Sequence, residues 1–346
     1  MTATFTLPAS VVSGYYVVRF VRSGGGTSST FVIVRALAPD TSAILVQVPV
    51  NTWQAYNGWG GQSLYELPGV ASAAERVSFD RPYLPGGQNA FGWEYPFVLF
   101  AEQHGYDISY QTDLDTDADP ASLVGHRLVI SLGHDEYWTG GMRDAFAQAL
   151  AQGENLAFIG ANDVYWKARY EDGGQTLVVY KSPTDPDPTT DPSQITGMFR
   201  ALRWPECTLV GIQHQGGELS WGSGDYTVDP GALSTPWMRG TGFKSGDTLR
   251  GLVSVEADTI PQWDNGASCG HALRVYFRRD AGGDELGNAD AVSYTTGNGA
   301  TVFAAGSLQL VWGLADPPPQ SGQQHGLVDP RLQQFFVNML DALSAR

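Results

Sequence analysis

The chain has 346 residues, a formal net charge of −16 and a hydrophobic fraction of 42 %. It can bury a substantial core, and its negative charge argues against nucleic acid as a partner because a phosphate backbone would be repelled. Its apolar runs fall short of the roughly 20 residues that cross a membrane, and the amino terminus lacks the basic stretch and apolar core of a signal peptide. We therefore expect a soluble, cytoplasmic protein with no membrane partner.

The first predicted element is a β-hairpin. Two β-rich runs, YYVVRFVR at residues 15–22 and FVIVR at residues 31–35, are joined by a Gly/Ser-rich turn. We assign residues 1–38 to a hairpin module, the remnant of a β-sandwich-like domain. Residues 39–346 are assigned to one α/β catalytic domain with insertions.

Strands and helices alternate after the hairpin. The run HRLVISL is the clearest buried strand, because it is apolar on both faces. This succession predicts right-handed crossovers and a parallel sheet. The predicted elements are strand 43–48, helix 93–105, strand 106–110, strand 126–132, helix 139–152 and strand 155–160.

The second half of the chain has weaker signals. A Pro/Asp/Thr tract at residues 185–192 predicts an exposed loop and an insertion. Further strands are predicted at residues 250–256, 271–277 and 300–307, and an amphipathic helix at residues 329–343 closes the chain. The two cysteines, Cys207 and Cys269, are compatible with one bridge, but we expect free thiols in a reducing compartment.

Polar side chains follow three of the predicted strands. In an open parallel sheet the ligand crevice lies beyond the carboxyl ends of the strands, so these side chains are expected to converge. They are His134, Asp135 and Glu136 of the run GHDEYW, Asn162 and Asp163 after the next strand, and Tyr56 and Asn57 after the first.

Each of these residues also has a purely structural interpretation. His134 could brace a loop, the following acids could cap the helix near Thr139, and Trp53 and Tyr56 could simply pack in the core. The coincidence of polar residues at three neighbouring strand ends favours an active site over these alternatives.

Several common catalytic motifs are absent from the sequence. There is no GxGxxG fingerprint, Walker motif or HExxH pair. Neither Cys207 nor Cys269 follows one of the predicted parallel strands, so a cysteine nucleophile of the class I amidotransferase type is not indicated. A bound metal would therefore be held mostly by oxygen ligands.

Seven strings rich in Trp, Tyr and His run through the chain. They are SGYYVVRF, SAILVQVPVNTWQAYNGWGG, VSFDRPY, WEYPFVLFAEQHGYDISYQTDLDT, LVISLGHDEYW, NLAFIGANDVYW and VFAAGSLQLVWGL. Through these strings, which occur in the family's order, the chain resembles the carboxyl-terminal catalytic region of the N,N-dimethylformamidase large (β) subunit over nearly its whole length.

The resemblance implies a class I glutamine-amidotransferase-like, flavodoxin-like parallel sheet with helices on both faces. It also implies a mononuclear iron, Fe³⁺, held by two tyrosines and one glutamate. By motif these ligands are Tyr16 of SGYY, Tyr56 of TWQAYN and Glu136 of GHDEYW. Tyr15 points to the opposite strand face, so only one tyrosine of this pair can be a ligand.

The resemblance further marks three catalytic residues. His134 and Asn162 are implied as active-site residues, and Glu256 as a further acid or base. The Glu256 match is looser, because Val255 stands where the family usually has an aromatic residue. In this scheme the metal is a Lewis acid, His134 or Glu256 moves the proton to the departing amine, and Asn162 steadies the oxyanion.

The predicted function is hydrolysis of a small amide or a related C–N bond. The sequence has no counterpart of the family enzyme's amino-terminal lectin-like portion or of its small subunit, so the substrate is left open. A small partner subunit or a homo-oligomer is compatible with this assignment. The alternatives are a non-hydrolytic iron enzyme acting on a small molecule and a sugar- or peptide-binding module built on the aromatic loop 53–59.

Overall fold

A nine-stranded sheet is the central element of the computed structural model, which describes residues 5–8, 10–70, 72–83, 92–214, 224–253, 256–261, 268–282, 287–318 and 324–345. The strands in these ranges are β1 Gly14–Val21, β2 Thr27–Val34, β3 Ile44–Val48, β4 Arg76–Ser78, β5 Ile108–Thr112, β6 Leu128–Gly133, β7 Tyr137–Thr139, β8 Asn155–Gly160, β9 Trp166–Glu171, β10 Thr176–Val178, β11 Gly197–Met198, β12 Gln213–His214, β13 Gly224–Val228, β14 Thr248–Val253, β15 Asp258–Thr259, β16 Arg274–Arg279, β17 Ala289–Thr295 and β18 Thr301–Ala304. The α-helices are α1 Val50–Ala55, α2 Tyr95–Gln103, α3 Asp113–Ala118, α4 Gly140–Gln152, α5 Cys207–Val210 and α6 Pro330–Ser344.

The predicted flavodoxin-like fold is wrong, because the central sheet is mixed. Its strand order is β14-β13-β16-β17-β18-β8-β6-β3-β5. The five strands from β18 to β5 are parallel, whereas β14, β13, β16 and β17 pair antiparallel. Only α2, α4 and α6 reach seven residues in the described part of the chain. The smaller sheets of the described residues are antiparallel, except that β7 pairs parallel with β9.

The parallel strands are buried on both faces, as their continuous apolar runs predict. In β6, Ile130 packs in one hydrophobic cluster with residues of α2 and α6. Its neighbour Val129 points to the other face and packs in a second cluster with residues of α4. All six residues of β6 are buried. Its one interior polar residue, Ser131, is paired, since its hydroxyl donates to Asp135 Oδ2 at 2.7 Å, and the other polar side chains of this segment follow the end of the strand.

The helices beside the parallel strands begin and end close to the predicted positions. Thr139 caps α4, because its hydroxyl accepts a hydrogen bond from the Met142 backbone N–H. The helix ends at Gly153 in the left-handed conformation. Asp329 caps α6 by accepting from the Arg331 N–H. These caps fix where the chain leaves the sheet and where it returns.

The predicted hairpin is present. Strands β1 and β2 pair antiparallel from Gly14 opposite Val34 to Val21 opposite Thr27, and they form a separate two-stranded sheet. The division into a module at residues 1–38 and a domain at residues 39–346 stays a prediction.

The expectation of free thiols is wrong, because Cys207 and Cys269 form a disulfide. The bridge links α5 to a segment 62 residues further along the chain. Sequence spacing alone did not indicate this proximity.

Among the residues that the structure describes, we find no helix with the length and hydropathy of a membrane span.

Candidate active site at the ends of the parallel strands

Two glycines let the ends of β6 and β8 approach each other closely. Gly133 has a φ of +82°, and a Cβ there would overlap the carboxyl group of Glu94. A Cβ on Gly160 would overlap the carbonyl oxygen of Gly133. A residue with a side chain could therefore not replace either glycine without a clash. As a result, His134 and Asn162 leave the sheet side by side.

The GHDEYW turn is fixed by hydrogen bonds from both neighbouring segments. The Glu136 N–H donates to the Thr52 hydroxyl at 3.0 Å, which ties the turn to α1. The Val164 N–H donates to the Asp135 carbonyl at 3.0 Å, and the Trp166 N–H donates to the Glu136 carbonyl at 2.9 Å. These bonds hold the Glu136 side chain at the rim of the sheet.

Glu136 lies against two tyrosines, and we call Tyr56, Tyr65 and Glu136 the tyrosine cluster. The Tyr65 hydroxyl donates to Glu136 Oε1 at 2.6 Å, and Tyr56 also lies beside this carboxylate. The two phenol rings stack with their centroids 4.1 Å apart. Burial raises the pKa of both phenols well above its usual value and raises that of Glu136 to about 6.

A half-buried lysine packs over the tyrosine cluster. The Lys181 ammonium lies 3.4 Å from the centroid of the Tyr65 ring. It also donates to the hydroxyl of Tyr137 at 3.3 Å, and that hydroxyl donates to the Tyr65 hydroxyl at 2.7 Å. Burial lowers the pKa of Lys181 to about 8, while Glu136 acts in the opposite direction. The ammonium offsets part of the negative charge of Glu136.

His134 lies between two carboxyl groups. Its Nε2 is 3.4 Å from Glu136 Oε2 and 3.8 Å from Glu256 Oε1. Burial, together with His214, lowers the pKa of His134 to about 3, so the ring is neutral and these contacts are not salt bridges. Both ring nitrogens are buried and have no hydrogen-bond partner among the described residues. They are available to a water or a ligand.

Asn162 joins Glu256 to the end of β8. Its side chain lies beside the Glu256 carboxyl group, and its backbone N–H donates to Asp258 Oδ1 at 2.8 Å. Asn162 adopts a φ of +56°, an uncommon conformation for a residue other than glycine. Burial, and then Glu136, raises the pKa of Glu256 well above its usual value. Glu256 therefore favours its protonated form.

The structure brings together His134, Asn162, Glu256, Tyr56 and Glu136, but places Tyr16 differently. The Tyr16 hydroxyl donates to the Val12 carbonyl at 2.9 Å, and no contact described for it reaches these residues. The adjacent Tyr15 packs edge-on against Tyr110, with ring centroids 5.2 Å apart.

Tyr65 is a residue of the tyrosine cluster that the sequence analysis did not predict. No motif marks the segment QSLYELP, in which Tyr65 stands. The Ser63 hydroxyl and the Leu64 N–H both donate to the Ala55 carbonyl, at 2.8 and 2.9 Å. This fold-back onto the end of α1 brings Tyr65 beside Tyr56, a proximity that no local sequence signal indicates.

The tyrosine cluster fits the iron site that the family resemblance implies. No group of three or more His, Cys, Asp or Glu side chains able to hold a metal ion is found in the described ranges. A site of two tyrosines and one glutamate would contain only one of those four residue types. Glu136 Oε2 is buried without a hydrogen-bond partner among the residues described. Two phenol oxygens and this carboxylate are hard donors of the kind that suit trivalent iron.

A cavity of about 650 Å³ lies away from this cluster, where α4 begins beside β9. Its polar lining is already paired, since Lys167 donates to the Ser193 carbonyl and the Thr139 hydroxyl donates to Asp117. The unpartnered buried atoms around His134 therefore identify the candidate site better than cavity size does.

Comparison with protein families agrees with the resemblance seen in the sequence. The family described as N,N-dimethylformamidase beta subunit-like, C-terminal, matches residues 1–325. The match covers nearly the whole chain. Among curated proteins, none matches the chain.

Proposed function

The chain belongs to the N,N-dimethylformamidase beta subunit-like, C-terminal family, and from this premise we propose that it hydrolyses a small amide or a related C–N bond. The family is dimethylformamidase-like, which is consistent with an amide hydrolase. The observation that supports the proposal best is the burial of His134, Glu136 and Glu256 around atoms without hydrogen-bond partners among the described residues. Buried polar groups left unpaired cost free energy unless a ligand or water pairs with them.

We further propose that the tyrosine cluster, Tyr56, Tyr65 and Glu136, holds a mononuclear ferric iron. Burial raises the pKa of both phenols, so their ionisation requires a nearby positive charge. A bound trivalent ion supplies that charge. When bound, iron would act as a Lewis acid that polarises the amide carbonyl. Tyr65 takes the ligand position that the resemblance assigned to Tyr16.

The other site residues move protons in the proposed reaction. His134, neutral at physiological pH, accepts a proton from the water that attacks the amide carbonyl. Glu256, which favours its protonated form, gives its proton to the nitrogen of the departing amine. The resulting imidazolium and carboxylate lie 3.8 Å apart, from Nε2 to Oε1. Asn162, beside the Glu256 carboxyl group, steadies the oxyanion that forms on the amide carbonyl.

The binding-module alternative is disfavoured by the aromatic loop. Trp53 is only 2 % exposed, and its indole Nε1 donates to Glu94 Oε1 at 3.1 Å. Its ring packs against Tyr15, Phe31 and Tyr83. Trp53 is therefore a core residue and cannot form a binding platform. The non-hydrolytic alternative is distinguished by its products, and no contact in the site favours it.

We also propose that a partner subunit accompanies the chain. The family name refers to a beta subunit, which is consistent with a multi-subunit enzyme. Co-purification of the chain from its native source, followed by mass measurement of the intact complex, tests this. A chain that purifies alone and is fully active would contradict it.

The proposed function is tested on the purified, iron-loaded chain. We expect about one iron per chain, a visible phenolate-to-iron charge-transfer band and release of an amine from at least one small amide. A colourless protein with stoichiometric zinc would contradict the iron proposal. An iron-loaded, coloured protein that releases no amine across a broad screen would contradict the amide-hydrolase proposal.

A pair of tyrosine variants tests the ligand assignment. Tyr65→Phe keeps the ring that stacks on Tyr56 but removes the hydroxyl, so we expect loss of part or all of the charge-transfer band and weaker iron retention. Tyr16→Phe is the matched control. It should keep the charge-transfer band and the iron, because the Tyr16 hydroxyl of the parent donates to the Val12 carbonyl. The reverse pattern would restore Tyr16 as the ligand and remove Tyr65.

A further inference from the structure

The loop that follows β8 holds two residues in a backbone conformation that costs free energy. Asn162 has a φ of +56° and Val164 a φ of +57°, in the left-handed region that residues other than glycine seldom occupy. Asparagine tolerates this region better than most residues, whereas β-branched valine does not. Such a conformation persists only where the surrounding structure holds it. Contacts from outside the loop must therefore support it.

Asp258 supplies such a contact at Asn162. The Asn162 N–H donates to Asp258 Oδ1 at 2.8 Å, across 96 residues of sequence. Asp258 is 1 % exposed, so water does not compete for this hydrogen bond. The other strained residue is held separately, because the Val164 N–H donates to the Asp135 carbonyl at 3.0 Å. Asp258 is therefore the described contact that fixes the backbone at Asn162.

Asp258 is itself held by two neighbouring segments. It begins β15 and lies opposite His214 of β12. Its N–H donates to the carbonyl of Gly306, just after β18, at 3.0 Å. Gly306 has a φ of +68°, and a Cβ there would overlap the Asp290 carbonyl oxygen, so this segment is closely packed as well. The Asp258 carboxyl group is thus a rigid point of attachment for the end of β8.

The Asn162 amide depends on this attachment for its direction. Its Oδ1 is buried, and no described residue hydrogen-bonds it. The amide lies beside the Glu256 carboxyl group, within the candidate site. Because no bond to Oδ1 fixes the amide from the side chain, its direction is set mainly by the backbone that carries it.

We propose that Asp258 is a positioning residue, which holds the strained backbone of Asn162 so that the Asn162 amide points at the reacting carbonyl. The inference rests on the proposed function, in which Asn162 steadies the oxyanion. A donor to an oxyanion is effective because it is in place before the charge develops. Without Asp258, the Asn162 backbone would relax out of the left-handed region and the amide would turn away. Asp258 exchanges no proton in this role, since an oxygen that accepts the N–H is sufficient.

The test is a double-mutant cycle on the iron-loaded chain, measured with the small amide from which the parent releases amine fastest. Asn162→Ala removes the amide side chain, and Asp258→Ala removes the acceptor that holds its backbone. We expect each to lower kcat by about 10²-fold, with KM, iron content and the visible band unchanged. The double variant should be about as slow as either single variant and not about 10⁴-fold slower, because Asp258 acts only through Asn162.

Two further variants separate positioning from folding. Asp258→Asn keeps an oxygen that can accept from the Asn162 N–H, so it should recover part of the kcat that Asp258→Ala loses. Asp225→Ala is the matched control and should keep the parent's kcat. Asp225 likewise accepts a backbone N–H, that of Gly251 at 2.9 Å, but it lies where β13 pairs with β14, away from β8. If Asp258→Ala does not fold, the cycle is measured with Asp258→Asn, whose smaller loss should likewise disappear in the Asn162→Ala background.

The outcomes separate this inference from the function on which it rests. Amide hydrolysis by the parent chain with full kcat in Asp258→Ala would overturn the positioning role alone. Losses that multiply in the double variant would also overturn it, since Asp258 would then act independently of Asn162. So would equal losses in Asp258→Asn and Asp258→Ala, because the accepting oxygen would then not matter. A parent chain that hydrolyses no amide would overturn the proposed function, and the positioning role with it.

Discussion

The two halves of the central sheet differ in how one buried carboxylate of each is hydrogen-bonded. Asp290 of β17, in the antiparallel half, accepts hydrogen bonds from the Thr259 hydroxyl at 2.6 Å, the Ile260 N–H at 3.1 Å and Arg278 Nε at 2.7 Å. Glu136, at the end of the parallel half, has a buried Oε2 with no such partner among the described residues. Asp290 is thus paired within the protein, whereas Glu136 has one oxygen available to a ligand.

Packing differs between the halves as well. In the antiparallel half, Phe277 contacts Phe335 of α6 with ring centroids 5.1 Å apart, and Tyr276 stacks on Trp237 at the same distance. This aromatic core is continuous with the face of the parallel strands that packs against α2 and α6. The antiparallel half should therefore determine stability, and the ends of the parallel strands should determine chemistry.

The largest expected effect comes from removing the carboxylate of the tyrosine cluster. Glu136→Ala should abolish iron binding and amide hydrolysis together, because it removes the one carboxylate of the proposed ligand set. Iron per chain and amine release are the measurements. Glu154→Ala is the matched control: Glu154 is also buried, but it lies just before β8, at the opposite end of the strand, and accepts from the Gly125 N–H. Stoichiometric iron in Glu136→Ala would remove the cluster as the metal site.

A core truncation in the antiparallel half should lower the stability of the fold without changing iron binding. Phe277→Ala is expected to lower the free energy of unfolding by about 3–5 kcal/mol, the usual cost of deleting a buried phenyl ring. Iron bound per folded molecule should stay unchanged. Denaturant unfolding and metal analysis of the folded fraction measure the two quantities, and Phe277→Leu should show a smaller loss. Loss of iron from folded Phe277→Ala would mean that the two halves are not independent.

The same contrast explains which parts of the fold the sequence predicted. Strands β3, β6 and β8 were recognisable because burial on both faces requires continuous apolar runs. Strand β17 was missed, because its buried sequence ADAVSYT contains alanine, aspartate and serine in place of large apolar residues. The pairing of β13 with β14 and β16 depends on contacts between distant segments, which no local pattern specifies.

The candidate site, too, could be predicted from the sequence only where its residues follow recognisable strands. His134, Glu136 and Asn162 were found because they directly follow strands of recognisable sequence. Tyr65 and Asp258 were missed, because a loop fold-back brings one to the rim and a two-residue strand brings the other. The disulfide between Cys207 and Cys269 was missed for the same reason, since spacing along the chain does not report proximity in space.

Replacing His134 separates proton transfer from metal binding within the parallel half. His134→Asn should lower amide turnover by about 10²-fold, the usual scale for losing a general base, while iron content and the visible band stay as in the parent. Glu136 contacts the tyrosines directly, whereas His134 has no described hydrogen bond to them. Single-turnover rates and metal analysis check this. If His134→Asn loses iron while Glu136→Ala keeps it, the two roles are reversed.

The smallest expected effect concerns Glu94, whose carboxyl group packs against Gly133 at the end of β6. Glu94 is fully buried, and burial raises its pKa from 4.5 to about 8, with the Trp53 hydrogen bond acting in the opposite direction. The folded chain therefore holds this proton more tightly than the unfolded chain. Stability from this group is present in full below pH 4.5 and is lost progressively as pH rises to about 8.

Glu94→Gln removes this titration but keeps an oxygen that can accept from Trp53 Nε1. We expect the variant to gain stability relative to the parent as pH rises from 4.5 to about 8, by roughly 1.4 kcal/mol per pH unit at most, and the difference to level off above that range. Urea unfolding of both proteins at half-unit pH intervals measures the difference. A difference that does not change with pH would show that Glu94 ionises normally in the folded chain. Its carboxyl group would then be solvated or paired when it ionises, in contrast to its complete burial beside Gly133.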